Sequence, residues 1–321
     1  MKRIPIFLLA ASVLAASLTA CGSPAASSSS APPSSAPSSA FQGYTFTDDL
    51  GRTVTVEQPE RVAALIGSFA DVWCLAGGQD TLVAAAHDAW TSFDLGLSDT
   101  VADLGAVKEP NLEVLLAAQP DFILASCNTT ADLELESTFE SASIPTAYFD
   151  IQSFDDYLNM LKICTDLTGC PENYETYGLQ VQEQVEAAKA RQDGSAPTVL
   201  TIRATGSSCK VKGSQDFLLG EMLSDLDCVN VADSETSLLE ELSLEAILAA
   251  DPDYIFVVLQ GSDATDAQET LEKTLLSNPA WGSLRAVQEG RFHTLEHSLY
   301  NLKPNARWGE AYEKLADILY P

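Results

Sequence analysis

A sixteen-residue pattern occurs twice in this chain, and it constrains the fold more than any other feature. The copies are Asn111–Ser126 (NLEVLLAAQPDFILAS) and Ser243–Val258 (SLEAILAADPDYIFVV), and eight of the sixteen positions are identical. Each copy predicts a capped amphipathic helix, a break at Pro-Asp and a buried strand. The two copies start 132 residues apart, which is too long a period for a solenoid repeat. The repeat therefore predicts two similar α/β lobes. A ligand is usually held in the cleft between two such lobes.

The first forty residues predict a targeting segment and a tether. A basic start precedes the apolar run Ile4–Leu18, which is too short to span a bilayer comfortably. The run ends in LTAC, which resembles the lipobox of bacterial lipoproteins, with Cys21 as the acylated cysteine. Residues 22–40 are almost entirely Ser, Ala and Pro, a composition typical of flexible linkers. We therefore expect a signal peptide over 1–20, a tether over 21–40, and an extracytoplasmic protein that is lipid-anchored to the cell membrane.

The charge and the absence of catalytic motifs argue against several function classes. The chain has 46 acidic and 17 basic residues, for a net charge of −29, which argues against a nucleic acid partner. There is no G-x-S-x-G, H-E-x-x-H, P-loop or G-x-G-x-x-G sequence, so nothing predicts an enzyme. Three scattered histidines make an all-protein metal site a weak interpretation. We expect no catalytic residues, no resident metal and no cofactor.

Six cysteines remain besides Cys21. Cys164 with Cys170, and Cys209 with Cys228, are conceivable disulfides in an oxidising compartment, but a disulfide framework is not expected in a chain of this size. The sequence leaves both pairings open.

Short apolar segments alternate with helical patterns along the rest of the chain, which predicts parallel sheets with crossover helices. A hairpin is predicted around Asp49-Leu50-Gly51. The predicted strands are Val62–Ile66, Leu82–Ala86, Phe122–Ala125, Thr146–Phe149, Thr198–Arg203, Tyr254–Leu259 and Phe292–Leu295.

The middle of the chain predicts a long connecting helix. A first helix over Phe154–Leu167 is followed by Gly169 and Pro171, which favour a helix end and a new start. Apolar residues recur every three or four positions along Glu172–Arg191, which predicts a helix about 30 Å long. The predicted organisation is an N-terminal lobe (41–170), a linking helix (171–195) and a C-terminal lobe (196–321). A stiff connection of this kind favours a small rigid closing motion.

Several segments together resemble one known family, the substrate-binding lipoproteins of ABC importers that carry iron–siderophore complexes, haem or cobalamin. The matching segments are Asp48–Val56, Pro59–Leu65, the two repeat copies, Trp281–Arg291 and Leu315–Pro321. The resemblance covers nearly all of Tyr44–Pro321. It implies two α/β lobes with mainly parallel central sheets joined by one long helix, and a binding protein that works with an ABC permease dimer and its ATPase. We expect a monomer.

The repeat also places one acidic residue in each lobe. Asn111 and Ser243 are predicted N-caps, so Glu113 and Glu245 lie in the first helical turn, where a carboxylate complements the helix dipole. The resemblance implies a further role, in which these two glutamates dock on arginines of the two permease subunits.

Candidate ligand-binding residues lie in loops that follow predicted strands, where ligands of such sheets bind. Trp90 and Tyr300 are suited to stack on a macrocycle or planar chelate, and His87 is the candidate axial ligand for haem. Cationic side chains are suited to pair with carboxylate or catecholate oxygens. The full set of candidates is Ser68, His87, Trp90, Lys108, Arg203, Lys210, Gln260, Tyr300 and Arg307.

These observations predict a protein that captures an iron complex, such as a ferric siderophore, and delivers it to a permease. Haem or cobalamin in the same role is an alternative. A second alternative is an extracytoplasmic sensor or adhesion module that keeps the fold without transport.

Overall fold

The computed structural model describes residues 43–215, 217–240, 242–261 and 264–321. The predicted signal peptide, the tether and the lipidation site Cys21 lie outside the described residues. Within the described ranges, no helix combines the length and the apolar character needed to cross a membrane.

The first lobe contains a two-stranded hairpin and a five-stranded parallel sheet. Its strands are β1 (Tyr44–Thr47), β2 (Thr53–Val56), β3 (Val62–Ala64), β4 (Leu82–Ala85), β5 (Ala102–Asp103), β6 (Phe122–Ser126) and β7 (Thr146–Phe149). Its helices are α1 (Gly67–Leu75), α2 (Asp88–Thr91), α3 (Leu112–Ala117), α4 (Thr130–Glu134), α5 (Glu136–Ser141) and α6 (Phe154–Thr168). The sheet order is β5-β4-β3-β6-β7. Residues of β3, β6 and β7 are buried throughout, as expected for parallel strands covered by helices on both faces.

A helical connector leads from the first lobe to the second. It consists of α7 (Pro171–Tyr174), one wide π-helical turn (Glu175–Leu179) and α8 (Gln180–Lys189). The predicted long helix is therefore confirmed between Pro171 and Lys189, although the wide turn was not predicted.

The second lobe repeats the parallel architecture. Its strands are β8 (Thr198–Ala204), β9 (Cys209–Lys212), β10 (Val229–Asn230), β11 (Tyr254–Leu259) and β12 (Phe292–Leu295). Its helices are α9 (Leu218–Asp225), α10 (Val231–Ser234), α11 (Ser237–Glu240), α12 (Leu244–Ala250), α13 (Ala264–Leu271), α14 (Arg285–Gln288), α15 (His297–Tyr300) and α16 (Trp308–Leu319). The sheet order is β10-β8-β11-β12, and β9 pairs with β8 in antiparallel fashion.

The two copies of the repeat fold alike, which confirms the predicted helix and strand in each. The Asn111 side chain accepts a hydrogen bond from Val114 N at the start of α3, and the Ser243 side chain accepts one from Ala246 N at the start of α12. Each helix leads into a buried strand, β6 in the first lobe and β11 in the second. The fold is thus two similar α/β lobes with mainly parallel sheets joined by a long helix.

The six described cysteines are free thiols, and strand geometry excludes one of the conceivable disulfides. Cys209 pairs with Ala204 at the carboxyl end of β8, whereas Val229, next to Cys228, pairs with Thr198 at the amino end. Six residues of strand separate the two sites by about 20 Å. A disulfide requires Cα atoms within about 7 Å, so Cys209 and Cys228 cannot pair in this fold.

Candidate functional site

The carboxyl ends of the strands in the two lobes face each other. Asn305, which follows β12 in the second lobe, donates from Nδ2 to the Ser68 carbonyl oxygen at 2.9 Å, just after β3 in the first lobe. Lys303 donates from Nζ to the carbonyl oxygen of Ile151, just after β7. Ligands of open α/β sheets bind outside the carboxyl ends of the strands, where the strand order reverses. In the first lobe that reversal lies between β3 and β6.

A cavity of about 1120 Å³ is lined by the second lobe and by Gln152 of the first, and none of the predicted ligand residues is among the described residues that line it. Gln152 contributes from the first lobe, and the segment Val211–Gln215 contributes from the second. Two exposed apolar side chains, Val229 and Leu239, also line it. The cavity is large enough for a ligand the size of a metal chelate or macrocycle.

At the carboxyl end of β4, the predicted residue His87 lies in a fixed hydrogen-bonded loop. Its Nδ1 atom is 2.7 Å from Asp103 Oδ2, and its backbone N–H donates to the Gly105 carbonyl oxygen at 2.9 Å. The Gly105 N–H in turn donates to Asp103 Oδ1 at 2.8 Å. This closed set of contacts ties the loop after β4 to the loop after β5.

Four other predicted ligand residues, Trp90, Lys108, Lys210 and Gln260, form no side-chain hydrogen bond with the described residues, and Trp90 packs against the main core. Trp90 is half-buried in α2, and Gln260, just after β11, donates its backbone N–H to Ala204 O at 2.7 Å. Lys108 and Lys210 are exposed.

Arg203 and Lys210 form a directly opposed pair across β8 and β9. Like charges directly opposite each other destabilise a strand pair. Nine of the described lysines and arginines form ion pairs with described carboxylates, whereas Arg203 and Lys210 form none with the described residues. Two cations therefore stand together near the carboxyl end of β8, in a protein in which acidic residues greatly outnumber basic ones.

The structure places three of the predicted ligand residues in internal contacts. Tyr300 is 1% exposed, and its hydroxyl donates to the Ala311 carbonyl oxygen at 3.0 Å. Its ring therefore packs in the core and has no open face for stacking. Ser68 is also buried, and its Oγ atom has no hydrogen-bond partner among the described residues.

Arg307 is the third of these residues. Its guanidinium pairs with Glu310 at 2.7 Å and with Glu296 at 3.1 Å. Because these two carboxylates neutralise its charge, Arg307 attracts an incoming anion less strongly than Arg203 and Lys210 do.

Sequence reasoning missed a polar network at the carboxyl ends of β6 and β7. Asp150 Oδ1 accepts hydrogen bonds from Asn128 Nδ2 at 2.5 Å and from Gln152 Nε2 at 2.8 Å. The pKa of the nearby Lys303 is lowered, because burial outweighs the charges of Asp150 and Asp156, which raise it. Asp150 directly follows a predicted strand, so its position in the sequence was the available signal.

The two matched glutamates, Glu113 and Glu245, are exposed in the first turns of α3 and α12. Neither forms an ion pair with another residue that the structure describes. One free carboxylate is thus presented at the equivalent position of each lobe.

Comparisons with known proteins agree with this architecture. The family model described as "Periplasmic binding protein" matches residues 62–299. The chain is 24% identical over 222 residues to the iron-uptake system-binding protein of Bacillus subtilis (strain 168), covering 68% of this chain and 67% of that protein. It is 24% identical over 262 residues to the Fe(3+)-citrate-binding protein YfmC of the same organism, covering 79% of this chain and 78% of that protein.

Solved structures show the same fold. The periplasmic heme-binding protein RhuT from Roseiflexus sp. RS-1, in apo form, superposes with a TM-score of 0.65 at 22% identity. The match covers 81% of this chain and 98% of that chain.

Proposed function

The chain belongs to the periplasmic binding protein family, and from that premise we propose that it is the substrate-binding component of an ABC importer for an iron complex. In this role the protein binds its ligand between the lobes, catalyses no reaction and presents the loaded form to a permease dimer with its ATPase. Transfer requires that the permease favour a state of the protein that holds the ligand less tightly.

The single observation that carries this proposal is the pair of exposed glutamates on equivalent helices. Capping a helix does not require the same acidic residue in both lobes. Docking to a partner with two similar subunits does require a matching residue in each lobe. Glu113 and Glu245 form no ion pair with other described residues, so both carboxylates are available to arginines of a permease. A sensor or adhesion module without transport gives no reason for this pairing and is not favoured.

Three observations support an iron complex as the ligand. The relatives in Bacillus subtilis are named for iron uptake and for ferric citrate. The cavity formed by the second lobe and by Gln152 of the first has the size of a chelate. The unpaired Arg203 and Lys210 suit the carboxylate groups of an anionic complex, since Arg binds carboxylates through two parallel hydrogen bonds. Haem or cobalamin in the same role is the second candidate.

The proposed location is outside the cytoplasmic membrane. A signal peptide over 1–20, acylation of Cys21 and a tether over 21–40 would hold the binding lobes close to the permease. Two lobes spanning 41–170 and 196–321, linked through 171–195, complete the proposed organisation of a monomer.

The double variant Glu113→Ala/Glu245→Ala tests this function. We expect ligand affinity to remain within about twofold of the wild type and uptake by cells to fall at least about tenfold, because buried or interfacial charge pairs often contribute more than 1.4 kcal/mol. The matched control is Glu134→Ala/Glu272→Ala, which removes one exposed glutamate from each lobe outside the repeated helices. Unchanged uptake in the first double variant would contradict the proposed docking.

A further inference from the structure

We propose that the two lobes rotate about a hinge at the wide turn of the connector (Glu175–Leu179), so that α7 moves with the first lobe and α8 moves with the second. This motion goes beyond the proposed function, because it belongs to the ligand-free protein and requires no particular ligand. Two features carry it: the interrupted hydrogen-bond pattern of the turn, and the different partners that the connector has on its two sides.

The wide turn interrupts the hydrogen bonding of the connector without ending the helix. Tyr174 before the turn (φ −64°, ψ −38°) and Gln180 after it (φ −66°, ψ −34°) both have helical dihedral angles. A π-helical turn closes hydrogen bonds five residues apart instead of four, so the regular α-helical pattern is broken there. Sharp kinks in helices occur at such turns, at prolines and at pairs of small residues. The wide turn is therefore the point at which the connector bends most easily.

The turn itself is attached to the first lobe. Helix α6 packs against both α7 and the wide turn. The hydroxyl of Tyr157, which is buried in α6, donates to the carbonyl oxygen of Tyr177 within the turn at 2.8 Å. The neighbouring Gly178 is buried, and an added Cβ there would lie 3.3 Å from Leu158 Cδ2 of α6, closer than the usual carbon contact. The absence of a side chain at Gly178 thus lets α6 hold the turn closely.

Beyond the turn, the connector is attached to the second lobe. Helix α8 packs along α16. At its end, Lys189 pairs with Asp225 of α9 at 3.3 Å. Shortly after it, Arg191 pairs with Asp317 of α16 at 2.5 Å and donates to the Tyr320 carbonyl oxygen at 2.7 Å. The attachment of the connector therefore changes from one lobe to the other at the wide turn.

The second connection between the lobes suits a rotation about this turn. Lys303 and Asn305 donate to the first lobe from positions two residues apart, so they define one further attachment point, and two points define an axis. Beside it, the rings of Trp308 and Phe154 meet across the lobes with centroids 5.8 Å apart. The Trp308 Nε1 atom has no hydrogen-bond partner among the described residues. Because a ring contact needs no fixed donor and acceptor, the two rings can slide during rotation.

Deletion of Thr176 in the full-length protein tests the hinge. Thr176 is exposed within the wide turn, and removing one residue should restore the four-residue spacing of an α-helix while keeping the faces of α7 and α8. Pulsed electron paramagnetic resonance measures the distance between spin labels at Asp99 in the first lobe and Gln268 in the second. The labels are attached through a ketone-bearing amino acid, because the chain has free thiols. We expect the distance distribution to narrow to the width measured for Asp99 and Glu140 within the first lobe.

Tyr157→Phe is the second variant and should have the opposite effect. Loss of its hydroxyl releases the Tyr177 carbonyl from the first lobe, so the interlobe distance distribution should broaden. The matched control is deletion of Lys273, an exposed residue in another wide turn (Glu272–Leu276) that lies within the second lobe. This deletion should leave the interlobe distribution unchanged.

An unchanged distribution after deletion of Thr176, in a variant with the circular dichroism of the wild type, would overturn the hinge. If that variant does not fold, Tyr157→Phe decides: broadening supports the hinge, and an unchanged or narrower distribution overturns it. Narrowing after deletion of Lys273 would also count against it, because the effect would not be specific to the connector. The proposed function stands or falls separately, on the uptake measured with the glutamate variants.

Discussion

At the scale of single residues, Asp132 is a buried carboxyl group with incomplete hydrogen bonding. Its Oδ2 accepts from the Ser126 N–H at 2.8 Å, but Oδ1 has no partner among the described residues. Burial raises the pKa of Asp132 to about 7, although the Ser126 hydrogen bond lowers it. In an unfolded chain the pKa of an aspartate is about 4. The folded state therefore keeps a proton that the unfolded state releases between these two pH values.

This difference predicts how Asp132→Asn changes stability with pH. The free energy of unfolding of the wild type should lose up to about 4 kcal/mol from this group as pH rises from about 4 to 7, and the loss should persist above pH 7. The variant does not titrate there, so its stability relative to the wild type should increase over the same range. Denaturant unfolding at pH 4.5 and pH 8 measures this. Asp99→Asn, at an exposed carboxyl group, is the control; equal pH dependence of wild type and Asp132→Asn would contradict the argument.

At the scale of secondary structure elements, the contact between α8 and α16 supports the connection between the lobes. The two helices pack closely, with Val185 of α8 and Leu315 of α16 buried in the main core. Gly309 lies at the contact, where an added Cβ would come within 2.6 Å of Gln184 Cβ and 2.1 Å of Gln184 Oε1. The amide end of Gln184 can rotate away, but its Cβ is fixed by the helix backbone.

Gly309→Ala should therefore force the helices apart and lower the free energy of unfolding by about 1–3 kcal/mol, as overpacking usually does. Chemical denaturation provides the measurement. Gly282→Ala is the matched control, because Gly282 has open space around its Cβ position and an ordinary φ. If both variants were equally stable, α8 and α16 would not be in the tight contact described.

At the scale of the whole molecule, the lobes are held by two connections, the helical connector and the segment that follows β12. Asn305 anchors that segment by donating to the Ser68 carbonyl oxygen at 2.9 Å and to Asp71 Oδ2 at 2.8 Å. It is fully buried and has a φ of 51°, a conformation that Asn and Gly tolerate better than other residues. Two connections should restrict closure on a ligand to a small rigid motion.

Asn305→Gly should release the second connection without straining the backbone. We expect the free protein to lose about 1–3 kcal/mol of stability, because the half-buried Asp71 carboxylate and the Ser68 carbonyl lose their donor. The radius of gyration from small-angle X-ray scattering should increase relative to the wild type. Asn301→Ala is the control, since Asn301 bonds to His297 within the same segment. An unchanged radius of gyration would show that the helical connector alone sets the arrangement.

Local patterns in the sequence were sufficient to predict most of the helices and strands of the fold. The strands Thr146–Phe149, Tyr254–Leu259 and Phe292–Leu295 have the predicted bounds. The first two are largely apolar, buried runs between turn residues, a pattern that specifies a strand locally. The repeat was sufficient to predict two lobes. The short strands β5 and β10 were not predicted, because two paired residues leave no periodic signal and depend on the neighbouring strand.

The candidate site depends far more on long-range contacts. The sequence by itself determined which loops follow the carboxyl ends of strands, and so placed His87, Trp90 and Arg203 among the candidates. Only the tertiary structure decided that Tyr300 is buried, that Glu296 and Glu310 neutralise Arg307, and that Asp103 orients His87. These outcomes depend on side chains far apart in sequence, or on which face of an element meets the core. Hydrophobic periodicity specifies elements, whereas the charge and accessibility of a loop residue depend on what the packed lobes bring next to it.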